Sequence, residues 1–488
     1  MSVAQGTTGA GSAETSLAEM QALLDAQRAA YLAEAVVSSE TRIDRLERAV
    51  AVVTKNQQAL VDAMCEDFGH RSEYQSMLTD VALAIGPLRH AQQNLKRWQK
   101  REKRKVSPGI LALLGAKAWI EYQPLGVVGV ISPWNFPVHM AVTPLAGVLS
   151  AGNRCMLKPS EYTPATSAVL AAGFAEEFDQ KEIAVVTGGA QSGADFSGLA
   201  FDHLIFTGAN TVAKHVMRAA ADNLVPVTLE LGGKSPVIVS AKAEMDSTAD
   251  SIMAGKTLNA GQICLAPDYV FVPRDRMDEF VESSKRSVAK MFPSLLDNPD
   301  YTSVINGKHF DRINGYVDDA RQRGVEIVEL NPAGEDFRQQ SAHKIPPTLL
   351  IDPPEDAVVM QEEIFGPVMP IKPYDNIEEV VDYVNCHDRP LGLYYFGYDS
   401  QETRKMLEQT TSGGVTLNDV VMHIGQEDLP FGGVGASGMG SYHGEDGFRT
   451  FSHAKAIFKQ ATFNPAEKLG LRPPYREKLR SVLKSQIK

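Results

Sequence analysis

Four short stretches carry the residue types from which covalent chemistry can be built: Pro133-Trp134-Asn135-Phe136-Pro137, Leu157-Lys158-Pro159-Ser160-Glu161, Leu229-Glu230-Leu231-Gly232-Gly233-Lys234-Ser235-Pro236 and Gly261-Gln262-Ile263-Cys264. Cys264 is the candidate nucleophile. A thiolate adds readily to an electrophilic carbonyl and holds it as a covalent adduct. A free thiol with a pKa of about 8.5 is only a few per cent ionised at neutral pH, so a base or a positive field must raise that fraction. Glu230 can serve as the base: it ends the apolar run Val225 to Leu231, where partial burial raises a carboxyl pKa. The same carboxylate can take a proton from the water that hydrolyses a thioester. Asn135 sits in a loop stiffened by Pro133 and Pro137, and its amide can donate to an oxyanion, an interaction worth about 2.7–4 kcal/mol per donor.

Each of these residues also has an ordinary reading. A lone cysteine is usually a small buried hydrophobe, a strand-end glutamate a surface charge, and a loop asparagine a turn former. The surrounding motifs outweigh those readings for Cys264, Glu230 and Asn135. Cys65, Cys155 and Cys386 have no such context and read as structural.

Together with Glu362-Glu363-Ile364-Phe365-Gly366-Pro367 and Pro430-Phe431-Gly432-Gly433, the motifs stand in the order found in aldehyde dehydrogenases, and the chain resembles that superfamily from about residue 20 to 460. Leu265-Ala266-Pro267-Asp268-Tyr269 after the cysteine, and Ser437-Gly438-Met439-Gly440-Ser441-Tyr442-His443-Gly444, resemble its class-3 branch, and within it the coniferyl-aldehyde group. The resemblance implies NAD(P)-dependent oxidation of an aldehyde to the carboxylate through a cysteine thiohemiacetal and thioester. Cys264 is then nucleophile, Glu230 base and Asn135 oxyanion donor. It places Lys158 and Glu161 on the adenine ribose, Thr207 and Gly208 in the loop before the pyrophosphate helix, and Glu363 on the nicotinamide ribose. Phe365 packs beside the ring and Trp134 is a further cofactor contact. A carboxylate near the 2′ position favours NAD, with NADP accepted. Ala209 and Ala213 depart from the family's serine and second glycine, and there is no GxGxxG. Lys234 reads as structural.

The implied substrate is an aromatic aldehyde such as coniferyl aldehyde, or a medium- or long-chain aliphatic one. Phe136, His139, Met140, Tyr442 and His443 are the expected lining. Two other readings are a coenzyme-A-acylating relative, against which Glu230 speaks, and an inactive scaffold, against which the intact triad speaks.

The elements that must position these residues follow from periodicity. From Ser16 to about Lys105 the apolar spacing is helical, with Ile43, Leu46, Val50 and Val53 on one face and Thr41 as a candidate cap. Short β-branched runs then alternate with helical stretches: Val127 to Ile131, Cys155 to Leu157, Ile183 to Val186, His203 to Phe206 and Pro236 to Val239, followed by Tyr269 to Val272 and Pro347 to Ile351. This predicts an α/β protein with a doubly wound parallel-sheet nucleotide domain (16–106 and 124–239), a second α/β catalytic domain (240–422) and a β arm for oligomerisation (107–123 and 423–460). A homodimer is expected.

Residues 1–15, small and polar, read as a disordered tail without the features of a secretory signal, and 461–488 as a basic tail. The net charge of −12 argues against nucleic-acid binding. Basic runs at Lys96 to Lys105 and in the C-terminal tail read as solvated faces, with peripheral membrane contact the sharper reading. No stretch approaches a membrane span, and the four scattered cysteines suggest neither disulfides nor a metal site. A cytoplasmic protein is expected.

Overall fold

The computed structural model describes residues 14–107, 109–463, 466, 471–475 and 477–487. Most of the expected N-terminal tail lies outside these residues, but its last two positions are tied down. Thr15 N donates to Thr187 O at 3.0 Å, and the Glu14 carboxylate accepts from Ser192 Oγ at 2.6 Å and from Gly189 N at 3.2 Å.

The helical lead-in begins at Leu17–Glu34, where Ser16 and Glu19 close a capping box. The second helix, Ser39–Lys55, is capped by Ser38 and not by Thr41. Ser38 has the extended backbone a cap needs, and its hydroxyl accepts from Thr41 N at 3.1 Å, which puts Thr41 inside the first turn. Glu73–Ser76 runs through a wider π turn, Met77–Ala82, into Leu83–Trp98.

Six strands form the first sheet in the order Gly438–Met439, Val227–Glu230, His203–Thr207, Val127–Ile131, Arg154–Lys158 and Ile183–Val185, all parallel except the first. Both faces are covered, so Val128 and Val130 pack with Leu145 and Leu149 while Val127 packs with Leu204 and Phe206 on the other side. A second, seven-stranded sheet runs Glu326–Glu329, Thr348–Ile351, Val368–Tyr374, Tyr269–Pro273, Pro236–Val239, Gly392–Phe396 and Gly414–Leu417.

Pro236–Val239 therefore belongs to the second sheet, although the sequence reading ended the nucleotide domain at 239. Returning to the first sheet in parallel requires a crossover of a dozen or more residues, and the link from Glu230 to Pro236 is far too short. Gly233, at φ 149°, lets the chain turn away between the sheets.

The third sheet is the arm: Lys117–Pro124 lies between Glu102–Arg104 and Ser452–Lys459, antiparallel to both. It is smaller than the sequence suggested. Within 423–460, Gly438–Met439 is an edge of the first sheet and the helix Gly444–Thr450 packs on the helix His139–Ala151. Residues Gly109–Leu113 are helical. In the C-terminal segment Glu477–Gln486 forms a helix. No helix among the described residues is long and apolar enough to cross a membrane.

Candidate active site

A cavity of about 1000 Å³ opens where the ends of the two large sheets meet. Trp134, Asn135, Thr207, Gly208, Glu230, Cys264, Glu363 and Phe365 all line it. Lys158 and Glu161 do not. Lys158, at the end of its strand, is buried and donates to Pro159 O and Gly188 O, each at 3.1 Å, with the exposed Glu161 carboxylate 3.9 Å away.

Glu230 closes the strand Val227–Glu230, held in the first sheet between Thr207 and Gly438. Only 2 % of it is exposed, and neither carboxylate oxygen has a hydrogen-bond partner. That desolvation pushes its pKa well above the ordinary carboxylate value.

Cys264 follows a strained turn. Asn259 and Ala260 hold φ 50° and 51°, the left-handed region that non-glycine residues seldom occupy. The turn is braced on several sides. Asn259 N donates to Gln75 Oε1 at 2.9 Å and its Nδ2 to Asn135 O at 3.0 Å, while Gln262 Nε2 bonds Ser303 O at 3.1 Å and Gln262 Oε1 accepts from Ile305 N at 3.0 Å. Burial, then the Glu363 and Glu230 carboxyls, push the Cys264 thiol up, while the Cys264 and Leu265 N–H groups pull the other way. Among the described residues, the groups acting on the thiol are thus two carboxyls and two backbone N–H groups.

Asn135 is buried, and its Nδ2 donates to Gln262 O at 3.0 Å. Its carbonyl accepts from Arg71 Nη1 at 3.1 Å. Arg71 is in turn paired with Asp80 at 2.7 Å, both side chains having no exposure. The other Asp80 oxygen accepts from Val138 N and His139 N at 3.1 and 3.2 Å, which satisfies the start of His139–Ala151. Arg71, Asp80 and Asn259 were not found from sequence, because an ion pair between a loop and a π turn leaves no periodic signal.

Glu363, which taken alone would read as solvated, lies across the backbone of Gly232. A Cβ there would stand 2.1 Å from Glu363 Oε2, so a larger residue would displace the Glu363 carboxyl. Burial, followed by the nearby Asp268, raises its pKa to about 8, and Oε1 has no partner. Phe365 packs edge-on against Trp134, with ring centroids 5.3 Å apart. Lys234 bridges Asp268, Val359 O and Glu362 O, in keeping with a structural role. Phe136, His139, Met140 and His443 line the cavity as expected, but Tyr442 lies behind its wall.

The cavity also reaches Asn210 and Thr211, at the N-terminus of the helix Asn210–Asp222. Free N–H groups there suit a pyrophosphate, and the unpartnered oxygen of Glu363 suits a ribose hydroxyl. The residues present fit a dinucleotide.

A doubly wound sheet, joined at one cavity to a second α/β sheet that carries a braced cysteine, is the architecture of a nucleotide-dependent oxidoreductase. Residues 2–457 match the model of the aldehyde dehydrogenase family, and the chain belongs to that family. It is 58% identical over 477 residues to a probable coniferyl aldehyde dehydrogenase of Caulobacter vibrioides, covering 98% of each chain. To the coniferyl aldehyde dehydrogenase of Pseudomonas sp. (strain HR199 / DSM 7063) it is 50% identical, covering 95% of each. Among solved structures, the substrate-bound state of Staphylococcus aureus AldH superposes with a TM-score of 0.89 at 32% identity, covering 96% of this chain and 99% of that one. The protein is an NAD(P)-dependent enzyme that oxidises aldehydes.

Proposed function

We propose that the enzyme oxidises a coniferyl-type aromatic aldehyde to its carboxylate, with Cys264 as nucleophile, Glu230 as base and Asn135 as oxyanion donor. The observation that carries this reading is the Glu230 carboxyl, buried without a partner on the wall of the cavity that holds Cys264. The names of the two relatives and the apolar wall of Phe136, Met140 and Leu265 support the substrate class.

In this mechanism Glu230 takes the thiol proton as Cys264 Sγ bonds to the carbonyl carbon. The carbonyl oxygen gains the electron pair, and Asn135 Nδ2 and the Cys264 N–H donate to it. When bound, NAD(P) supplies the hydride acceptor that converts this adduct to a thioester. Glu230, having passed on its first proton, then takes one from water as the water oxygen attacks the thioester carbon. The carbon–sulfur bond breaks, and Cys264 leaves as thiolate. Hydrolysis by Glu230 distinguishes this route from transfer to coenzyme A.

On the same reading Trp134, Thr207, Gly208, Glu363 and Phe365 hold the cofactor, the first sheet is the nucleotide domain and the second the catalytic one. Lys158 and Glu161 flank the adenine ribose, where the negative charge of Glu161 disfavours a 2′-phosphate and favours NAD. A cytoplasmic homodimer completes the picture.

The test is Glu230→Gln, nearly isosteric but unable to accept a proton. Steady-state turnover should fall about 10²–10⁴-fold, the usual weight of general acid–base catalysis. A pre-steady-state burst of NADH fluorescence separates the half-reactions: a slowed burst that recovers near pH 8.5 assigns thiol deprotonation to Glu230 as well as deacylation. Near-normal steady-state turnover would remove Glu230 from the mechanism.

A further inference from the structure

The cavity has polar lining residues that the reaction does not use. Its wall includes Phe136, Met140, Ile424, Glu427 and His443 as well as Cys264. His443 is 3 % exposed, and neither ring nitrogen has a hydrogen-bond partner. It is held in place by Phe431, stacked at 5.1 Å, and by the edge of Tyr442 at 5.2 Å. Glu427 keeps Oε2 buried and likewise unpartnered. Its carbonyl lies close against the residue that follows His443: a Cβ on Gly444 would stand 2.2 Å from Glu427 O, and Gly444 has φ +50°.

Few buried polar groups in a native protein lack a partner, and each calls for an explanation. Both residues line the same cavity, and each carries an unpartnered buried polar atom, one able to accept and the other able to donate. The neighbouring Asp428 is turned to His90, 3.3 Å from its Nε2, and so does not satisfy them. Burial raises the Glu427 carboxyl to about 7, and burial with the nearby His139 and His423 lowers His443 to about 3, which keeps the imidazole neutral with one N–H and one lone pair. Glu427 and His443 line the same cavity as Cys264 and Glu230.

We propose that Glu427 and His443 form a subsite that hydrogen-bonds a hydroxyl on the far end of the aldehyde, as carried by a 4-hydroxylated aromatic ring. A phenol donates to the Glu427 carboxyl while its oxygen accepts from the His443 N–H. A purely hydrocarbon tail would leave both groups buried and unpaired, so the subsite selects hydroxylated rings over aliphatic chains. The inference rests on the aldehyde-oxidising site described above and deepens it.

The experiment compares 4-hydroxycinnamaldehyde with cinnamaldehyde, which differ only in that hydroxyl. The wild-type enzyme should prefer the hydroxylated aldehyde by about 10- to 100-fold in kcat/KM. Glu427→Leu and His443→Phe should each lower that ratio at least several-fold, and Glu427→Gln, which can still bond the hydroxyl, should lower it less. In parallel, 4-hydroxycinnamyl alcohol should bind the wild-type protein more tightly than cinnamyl alcohol by calorimetry. That measurement needs neither turnover nor a folded variant. Equal binding of the two alcohols, or a ratio unmoved in both Glu427→Leu and His443→Phe, would overturn the subsite. If the wild type oxidises neither aldehyde while the alcohols still bind unequally, the substrate reading fails and the subsite stands.

Discussion

Asp80→Asn is the perturbation that most directly probes how the Asn135 loop is held. The variant keeps the size of the side chain, and its amide oxygen can still accept from Val138 N and His139 N. What it removes is the only anion paired with Arg71 among the described residues, and the Arg71 guanidinium has no exposed surface. Breaking a buried ion pair from one side typically costs about 3–5 kcal/mol, because the surviving charge is left without compensation. Arg71 retains the ring of Phe68 at 4.7 Å and of Phe136 at 5.3 Å, and its bond to Asn135 O. Such cation–π contacts are worth about 0.5–2 kcal/mol, so the lower end, about 3 kcal/mol, is expected. Urea unfolding followed by tryptophan fluorescence measures the loss. Adding Arg71→Met should recover much of it, since the orphaned charge is gone, and the double-variant cycle should show strong coupling. Catalysis should fall as well, by about 10-fold or more, through a looser Asn135 amide. A destabilisation under about 1 kcal/mol, or losses that simply add, would refute the view that the pair acts as a unit.

Cys264→Ala should leave less than about one per cent of turnover, and mass spectrometry of wild type with aldehyde and cofactor should find the acyl adduct on the Cys264 peptide. An adduct confined to Cys65, Cys155 or Cys386 contradicts the assignment. Because burial raises the Glu230 pKa, its base form grows with pH, so kcat/KM should climb on the acid side through an apparent pKa above the usual carboxylate range, and Glu230→Gln should abolish that limb. Stability carries the matching sign. A raised carboxyl contributes stability that is present below its unfolded pKa and lost as pH rises through the folded one, so Glu230→Gln should gain on wild type in urea as pH rises above the ordinary carboxylate range. A difference that does not grow with pH would contradict the desolvated carboxyl. Light scattering at micromolar concentration should report a dimer, since among the described residues Ser452–Lys459 pairs on one side only and leaves an eight-residue edge open. A monomer would show that the edge is tolerated.

Much of the frame was legible because it rests on local pattern. The β-branched runs at Val127 to Ile131 and His203 to Phe206 became central strands within a residue of their expected ends. Cys264, Glu230 and Asn135 stood in motifs specific enough to be read, and they line one cavity. Other features depend on contacts between distant segments. The jump of Pro236–Val239 into the second sheet is a matter of link length, which the strand's own composition does not encode. The burial of Glu363 comes from a missing side chain at Gly232, and the Arg71–Asp80 pair from a turn meeting a loop. Tyr442, an aromatic in a suggestive motif, proved to be packing behind the wall.

The placement of Gly438–Met439 beside Val227–Glu230 has a consequence for how the enzyme is made. During synthesis the parallel core of the first sheet can assemble early, because its strands emerge one after another with their helices. The strand that bears Glu230 nonetheless lacks its outer neighbour until Gly438–Met439 has left the ribosome, and Lys117–Pro124 waits still longer for Ser452–Lys459. Pairings so distant in sequence are slow to form. A nascent or C-terminally truncated chain would therefore expose two open strand edges, making it a substrate for chaperones and prone to aggregate. The edge beside Glu230 is thus closed late, and the strand that bears it gains its outer partner only once Gly438–Met439 has been made.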